Sequence, residues 1–500
     1  SALAAGVESL NAGDFTGARR CLQRALSLNQ QDPEITFHLG IAEARSGNLD
    51  AAQSLLERTR ANRDTTEVNN ALGNVQRLLG HLDGAATSYN RAIALDENNI
   101  AALVNLGLTL RDLGTPAQAL PILDQALVLS PRNVDALFNK ALALGDLAES
   151  EAARQLIEDI LCIDPHFAQA HLQRAFMLLK RREFQEGWNE YAWRVRIPEV
   201  DHWQDYDIPL WQGESLTGKR ILIQAEQGLG DQIMFASCLP DVLARTEQTV
   251  IECDPRLAKL FARSFPRAKV YRHRIEGAPD WSSEPVFDFR ARTGDLPRML
   301  RKNDVDFPLH DGYLIADSAR VSAWRKRLDM LGSGLKVGIS WRGGTPGTNG
   351  SMRSVSLDRL LPLFLVEGTY FISLQYGAVG AEISDFRAQH GAVLHEWVDA
   401  NADMDDIAAL TSALDLTITV CTTAAHLSGA LGKPAWVMVP AVAEWRYLES
   451  GIEMSWYPTL RLLRQTQLNA WEPVLLAVKA ALVHRIQNPS VPSGRPKPSA

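Results

Sequence analysis

Residues 221–235 read ILIQAEQGLGDQIMF. A run rich in Ile and Leu meets a Gln, a Glu and two closely spaced glycines, Gly228 and Gly230. Asp231 follows at once, and apolar residues then resume at helical spacing. This is the pattern of a buried strand passing through a glycine turn into a helix. Glycines at such a turn allow either tight chain reversal or close approach of a ligand to the backbone. The helix start supplies free N–H groups and positive potential. An Asp placed there serves as a helix cap or as a reactive carboxylate, and the stretch alone leaves both open.

Downstream the alternation recurs. TVIECD (249–254) and AKVYRH (268–273) read as strands separated by the helix RLAKLFARSF (256–265), and a less regular stretch follows to about residue 318. The helix SARVSAWRKRLDML (318–331) leads to a second series of strands: LKVGISW (335–341), TYFISLQYG (369–377), AVLHEWVD (392–399), LTITVC (416–421) and AWVMVPA (435–441). The first helix is expected to run from Asp231 to Ala244. Strands alternating with helices imply parallel sheets covered on both faces. Two such units suggest two Rossmann-like domains facing across a cleft, with ligands at the carboxyl ends of the strands.

Upstream the texture is periodic. Gly13, Gly47, Gly80 and Gly114 lie 34, 33 and 34 residues apart, each seven residues after Gly6, Gly40, Gly73 or Gly107. Ala141 and Ala175 continue the latter series. Ala18, Ala52, Ala85, Ala119 and Ala153 stand twelve residues after each anchor, and Leu22, Leu56, Tyr89, Leu123 and Ile157 four further on. Small residues let paired helices approach, and the large ones fill the space that remains. Pro131 and Pro165 close two of the units. This resembles the tetratricopeptide repeat, six copies over about residues 3–196, whose groove binds an extended peptide or another protein. His38, Asn105, Asn139 and Gln173, two residues before their anchors, are candidates to hold a ligand's backbone along the groove, or are solvated helix positions. The sixth copy carries Trp188, Tyr191 and Trp193 and reads as an aromatic cap.

The composition bounds the function. With 500 residues, the chain holds several domains; 46% hydrophobic and 22% charged residues are ordinary for a globular protein. A net charge of −8 argues against a general nucleic-acid binder. Five scattered cysteines without a CxxC pair fit a reducing compartment. The sequence shows neither an apolar run long enough for a membrane span nor a signal peptide, so a cytoplasmic location is expected. The expected domains are the repeats (1–197), a linker (198–218), an N-terminal Rossmann-like domain (219–317), a C-terminal Rossmann-like domain (318–487) and a disordered tail (488–500).

Four strand ends carry candidate chemistry. Beside Gly228, Gly230 and Asp231 stands Trp341-Arg342-Gly343-Gly344, followed by a flexible polar loop and Arg353-Ser354. Arginines and glycines there suit phosphate or carboxylate, or a mobile surface loop. Gln375 and Tyr376 could read a nucleobase edge or cap the sheet. Thr422, Thr423 and His426 open a helix of small residues, where hydroxyls and backbone N–H groups suit an anion, or where Thr422 is simply the cap. The triplets Asp205-Tyr-Asp207 and Asp403-Met-Asp405 read as structural.

Taken together, GWNEYAWRV (187–195), AEQGLGDQIMFA (225–236), RSVSL (353–357), SLQYG (373–377), DMDDIAALTSALDL (403–416), AHLSGALGKPAW (425–436), EWRYL (444–448) and SWYPTLRLLRQ (455–465) resemble a known group. It comprises bacterial tetratricopeptide-repeat proteins with a two-Rossmann (GT-B) glycosyltransferase domain, related more distantly to heptosyltransferases and to protein O-GlcNAc transferase. The resemblance implies an inverting protein O-glycosyltransferase without metal or other cofactor, using a nucleotide-sugar as co-substrate. Asp231 matches the general base. Gly228, Gly230, Trp341, Arg342, Gly343, Gly344, Arg353, Ser354, Gln375, Tyr376, Thr422, Thr423 and His426 would hold the donor. Cys421 stands where many relatives carry Asp, and Trp341-Arg342-Gly343-Gly344 replaces a shorter Trp-small-Gly. The added arginine suits a donor with its own carboxylate, such as a nonulosonic acid on CMP, and flagellin is then the candidate acceptor. The alternative is an inactive repeat adaptor with a degenerate transferase domain.

Overall fold

The computed structural model describes residues 1–198, 205–274, 277–344, 350–397 and 403–488. The expected tail beyond 488, residues 345–349 of the polar loop and residues 199–204 of the linker lie outside the described residues. The chain packs as two units, Ser1–Phe167 and Ala168–Ala500. Six antiparallel helix pairs begin the chain: Ala2–Asn11 with Phe15–Leu28, Pro33–Arg45 with Leu49–Asn62, Thr66–Leu78 with Leu82–Leu95, Ile100–Asp112 with Pro116–Leu129, Val134–Asp146 with Ser150–Ile163, and Ala168–Lys180 with Phe184–Tyr191. The sixth pair belongs to the second unit, so the packing boundary falls one pair before the expected domain boundary at 197.

The periodic residues are the ones that make each pair. A Cβ added at Gly73 would lie 2.6 Å from the Tyr89 ring, one at Gly107 2.6 Å from Leu123, and one at Gly40 3.0 Å from Leu56. Ala18, Ala52, Ala85, Ala119 and Ala153 are fully buried. Asp32, Thr65, Asn99 and Asn133 cap the first helices of their pairs by accepting a backbone N–H. At the turn within each pair the chain takes a left-handed residue: Gly13, Gly47, Gly80 and Gly114, then Ala148 (φ 65°) and Arg182 (φ 66°). The last two pairs hold this turn without glycine, at a cost of about 1–2 kcal/mol each.

The second unit contains two all-parallel sheets. The first has strands β1 (Arg220–Gln224), β2 (Gln248–Cys253), β3 (Ala268–Arg272) and β4 (Phe289–Arg292), in the order β3-β2-β1-β4. The second has β5 (Leu335–Ser340), β6 (Thr369–Ser373), β7 (Leu394–His395), β8 (Leu416–Val420), β9 (Ala435–Val439) and β10 (Leu460–Arg464), in the order β10-β9-β8-β5-β6-β7. Central strands such as β8 and β9 are buried along their whole length, as parallel strands covered on both faces must be. The order reverses between β1 and β4 in one sheet and between β8 and β5 in the other, which places two topological switch points beside the candidate loops.

Four features depart from the sequence reading. The helix expected from Asp231 to Ala244 is broken into Leu229–Phe235, a 3-10 turn and Leu239–Leu243, because Pro240 has no N–H to continue the first ladder. The irregular stretch before 318 contains β4, whose Arg290 and Arg292 are each only 6% exposed. Arg290 donates to the Ile208 carbonyl (3.0 Å) and pairs with Asp205 (2.5 Å). The described part of the linker is therefore no spacer. Trp211 is buried, and its backbone N–H donates to the Arg290 carbonyl (2.8 Å). Finally, β10 forms the edge of the second sheet although Arg461 and Arg464 interrupt its apolar run.

The exit of the sixth pair is the expected aromatic cap. Trp188 packs edge-on against Tyr191, Trp445 and Trp456, and its indole N–H donates to the Arg301 carbonyl at 2.9 Å. Of the two acidic triplets, Asp403 caps the helix Met404–Ala413 and Asp405 pairs with Arg263. Among the described residues, no helix is long and apolar enough to cross a membrane.

Candidate functional site

The stretch ILIQAEQGLGDQIMF forms β1, the turn 225–228 and the helix Leu229–Phe235. Gln227 occupies a left-handed conformation (φ 64°) without being glycine. Such a residue costs about 1–3 kcal/mol and persists where its surroundings enforce it. Here the Gln227 side-chain amide donates to the Tyr191 hydroxyl at 2.8 Å. Beside it, Glu226 is 3% exposed, bonds the Arg194 guanidinium and accepts the Gly294 N–H at 2.9 Å. Arg194 also pairs with Asp295 at 2.9 Å. Burial pushes the Glu226 carboxyl up, and the Arg194 charge opposes that shift. The segment that leaves the sixth helix pair thus clamps the glycine turn from behind.

Asp231 faces the second sheet. Its Oδ1 accepts from Arg446 Nη1 at 2.6 Å, across 215 residues of chain. Burial opposes the Arg446 charge, but the Asp231 and Glu444 carboxylates outweigh it, so the guanidinium titrates above its ordinary value. A Cβ added at Gly230 would stand 3.1 Å from His426 Cδ2 and 3.6 Å from Thr423 Oγ1. That glycine permits the turn after β1 to lie against the start of the helix Thr423–Ala430. His426 is 3% exposed, with Nδ1 3.2 Å from the Tyr457 hydroxyl. Burial, helped by the Arg446 charge, holds its pKa well below the usual histidine value, so the ring is neutral.

The carboxyl ends of β5 and β8 meet in the same way. Gly343 would place a Cβ 2.8 Å from the Cys421 carbonyl and 3.1 Å from Thr422 Cγ2. Its N–H donates to Ser354 Oγ at 3.2 Å. Thr422 is the cap: Oγ1 accepts the Ala424 N–H at 3.2 Å and lies 2.9 Å from Thr419 Oγ1. Arg353 is 7% exposed and bonds Glu444, whose other oxygen lies 3.7 Å from Arg446 Nε. Cys421 is buried, and its thiol is pushed up by that burial first and by the nearby Glu444 second.

Asp231, Gly230, Gly343, Arg353, Ser354, Thr422, Thr423 and His426 are thereby gathered around two switch points, and Gly228 opens the turn that carries Asp231. Others serve differently. Trp341 is fully buried, and its indole N–H donates to Glu382 at 2.9 Å; it is core and offers no face to a ligand. Gln375 does not read a base. Its amide oxygen accepts from the backbone N–H groups of Trp341 and Arg342, both at 2.9 Å, while its nitrogen donates to the Arg342 carbonyl at 3.1 Å. It staples β5 to β6. Arg342 is exposed and paired with Glu382 at 3.0 Å. Gly344 takes the left-handed turn after it (φ 76°). Tyr376 is 78% exposed.

Among the repeat candidates, Asn105 donates to the side-chain oxygens of Asn70 (3.2 Å) and Asn74 (3.1 Å). Asn139 is buried, whereas His38 is half-buried with its pKa lowered by burial. Gln173 belongs to the other packing unit. A cavity of about 850 Å³ lies elsewhere, lined by Trp436, Arg461, Ala477 and His484 among others and by none of the candidate residues. Sequence reading passed over Glu226, Arg194, Glu444 and Arg446. The last two stood in EWRYL, where a carboxylate and an arginine two apart after a buried strand were the available signal.

Comparison with known proteins adds the following. Family models described as TPR repeat and tetratricopeptide repeat match residues 9–75, 73–114 and 104–166, so this region consists of tetratricopeptide repeats. Protein FlbA of Caulobacter vibrioides is 34% identical over 331 residues, 63% of this chain and 55% of FlbA. The chain thus spans about half the length of the curated relative it matches. The crystal structure of MamA aligns at 22% identity and a TM-score of 0.31, covering 33% of this chain and 96% of that one. That of YrrB, described as a TPR protein with an unusual peptide-binding site, aligns at 20% and 0.30, covering 33% and 86%.

Proposed function

We propose that the chain is an inverting glycosyltransferase of GT-B type. It would move a sugar from a nucleotide donor to a Ser or Thr hydroxyl of a protein presented by the repeats. The observation that carries this reading is the Asp231–Arg446 pair, at 2.6 Å. A carboxylate in the first turn of the helix after β1 is held from the segment after β9, with the capped start of the helix Thr423–Ala430 beside it.

The chemistry is a single displacement. Asp231 takes the proton of the acceptor hydroxyl, whose oxygen forms a bond to the anomeric carbon. The bond from that carbon to the leaving phosphate oxygen breaks, and its electron pair stays on the phosphate. Arg353, Arg446 and the backbone N–H groups at Thr422–Thr423 stabilise that charge. Arg446 would have a second role, orienting Asp231. No metal or other cofactor enters this scheme. Because Arg342 lies exposed at the end of β5, it remains the candidate partner for a donor carboxylate. A CMP-nonulosonic acid with flagellin as acceptor is the specific pair we put forward. A cytoplasmic location follows from a nucleotide-sugar donor.

The test combines mass spectrometry of flagellin incubated with enzyme and donor, and calorimetry with CMP. Asp231→Asn should lower transfer by about 10²–10⁴-fold while CMP binding persists. Undiminished transfer would remove Asp231 from the mechanism. Absence of binding to any nucleotide would favour the adaptor.

A further inference from the structure

Four charged side chains from three segments form one alternating line: Asp231, Arg446, Glu444, Arg353. Glu444 bonds the Arg353 guanidinium with one oxygen and places the other 3.7 Å from Arg446 Nε. The two guanidiniums are deep, with side chains 9% and 14% exposed for Arg353 and Arg446, whereas that of Glu444 is 30% exposed. Among the described residues, the Nε–H of Arg446 finds no acceptor within hydrogen-bond distance. Glu444 is also close enough to Cys421, just before the Thr422 cap, to raise its thiol pKa. The carboxylate therefore sits in front of two fixed arginines and next to the start of a helix.

A carboxylate and a phosphate present similar forks of oxygen atoms to guanidinium groups. Two buried guanidiniums close together repel each other and lack the solvation they had in water, so an anion between them is favourable. We propose that Glu444 is an exchangeable stand-in for a ligand's phosphate: it neutralises Arg353, shares Arg446 with Asp231, and yields its place when the phosphate arrives. The identity of that phosphate, as part of a nucleotide donor, rests on the transferase reading; the exchange itself does not. The most exposed member of the line is the one able to swing out, and the arginines keep an anion before and after. Exchange also means competition. The protein's own carboxylate occupies the site for much of the time and weakens the apparent affinity accordingly.

Calorimetric titration of the full chain with inorganic phosphate and with CMP tests this, using wild type, Glu444→Gln and Glu444→Asp. Removing the competing charge should tighten binding of both probes by about tenfold in Glu444→Gln. The shorter Glu444→Asp, unable to span both guanidiniums, should fall between. The Glu444→Gln protein should melt lower than wild type without ligand and gain more in Tm from added phosphate. Equal or weaker binding by Glu444→Gln, with wild type binding CMP, would overturn the exchange and leave the transferase reading in place. Tighter binding of phosphate alone, with no binding of CMP by any variant, would support the exchange and remove CMP as the donor's nucleotide. No binding of either probe by any variant would overturn both.

Discussion

In the helical repeats Gly73 meets Tyr89, sixteen residues further along; in the sheet unit Asp231 meets Arg446 across 215. The repeats are built from contacts that recur at one short separation, so each pair can form from its own residues and its neighbours'. The sheet unit brings its decisive side chains together only after two parallel sheets have formed and faced each other. Parallel pairing itself demands long crossovers. The two regions also hold charge differently. The repeat ion pair Arg91–Asp64 is partly exposed, whereas Arg194–Glu226 is almost entirely buried. An exposed pair contributes little to stability. A buried one becomes expensive when half of it is removed.

Four substitutions sharpen that contrast, each read by urea denaturation of the full chain. The largest effect is expected from Arg194→Ala, which leaves the buried Glu226 and the half-buried Asp295 without their counter-charge. It should lose about 3–5 kcal/mol. A loss no greater than that of an exposed pair would mean the clamp behind the glycine turn is not held by charge. Next comes Gly73→Ala in the repeats, whose new methyl would press on the Tyr89 ring. About 1–3 kcal/mol should be lost, and a neutral result would show that the ring can step aside. The smallest effects belong to the turns. Gly47→Ala should cost about 1 kcal/mol, and Ala148→Gly should gain up to about 1 kcal/mol, because both positions are left-handed. If the two changes move stability in the same direction, the strain assigned to Ala148 is absent.

Much of the fold was legible because its signals are local. Glycine and alanine at a period near 34 residues marked the helix pairs, and runs such as LTITVC and AWVMVPA marked central strands buried on both faces. The strands that escaped notice carry arginines: FRAR in β4 hides its charges in ion pairs with Asp205, and LRLLR lies at a sheet edge. Neither has the continuous apolar run that betrays a buried parallel strand. The candidate site was legible in outline, since the turns after β1, β5 and β8 do lie at switch points. Its internal division of labour was not. Trp341 and Gln375 look like ligand contacts in sequence but act as core and staple, while Glu444 and Arg446 look like ordinary surface charges.

By itself the sequence determined the helix pairs, their turns and the existence of parallel sheets, because these depend on periodicity, glycine and uninterrupted apolar runs within a few tens of residues. Tertiary structure alone decided that Arg446 would hold Asp231, that Glu444 would bridge two arginines, and that Arg194 would be buried against Glu226. Charged side chains read as solvated until the fold removes the water around them, and only the packed sheets determine which opposite charge takes the water's place.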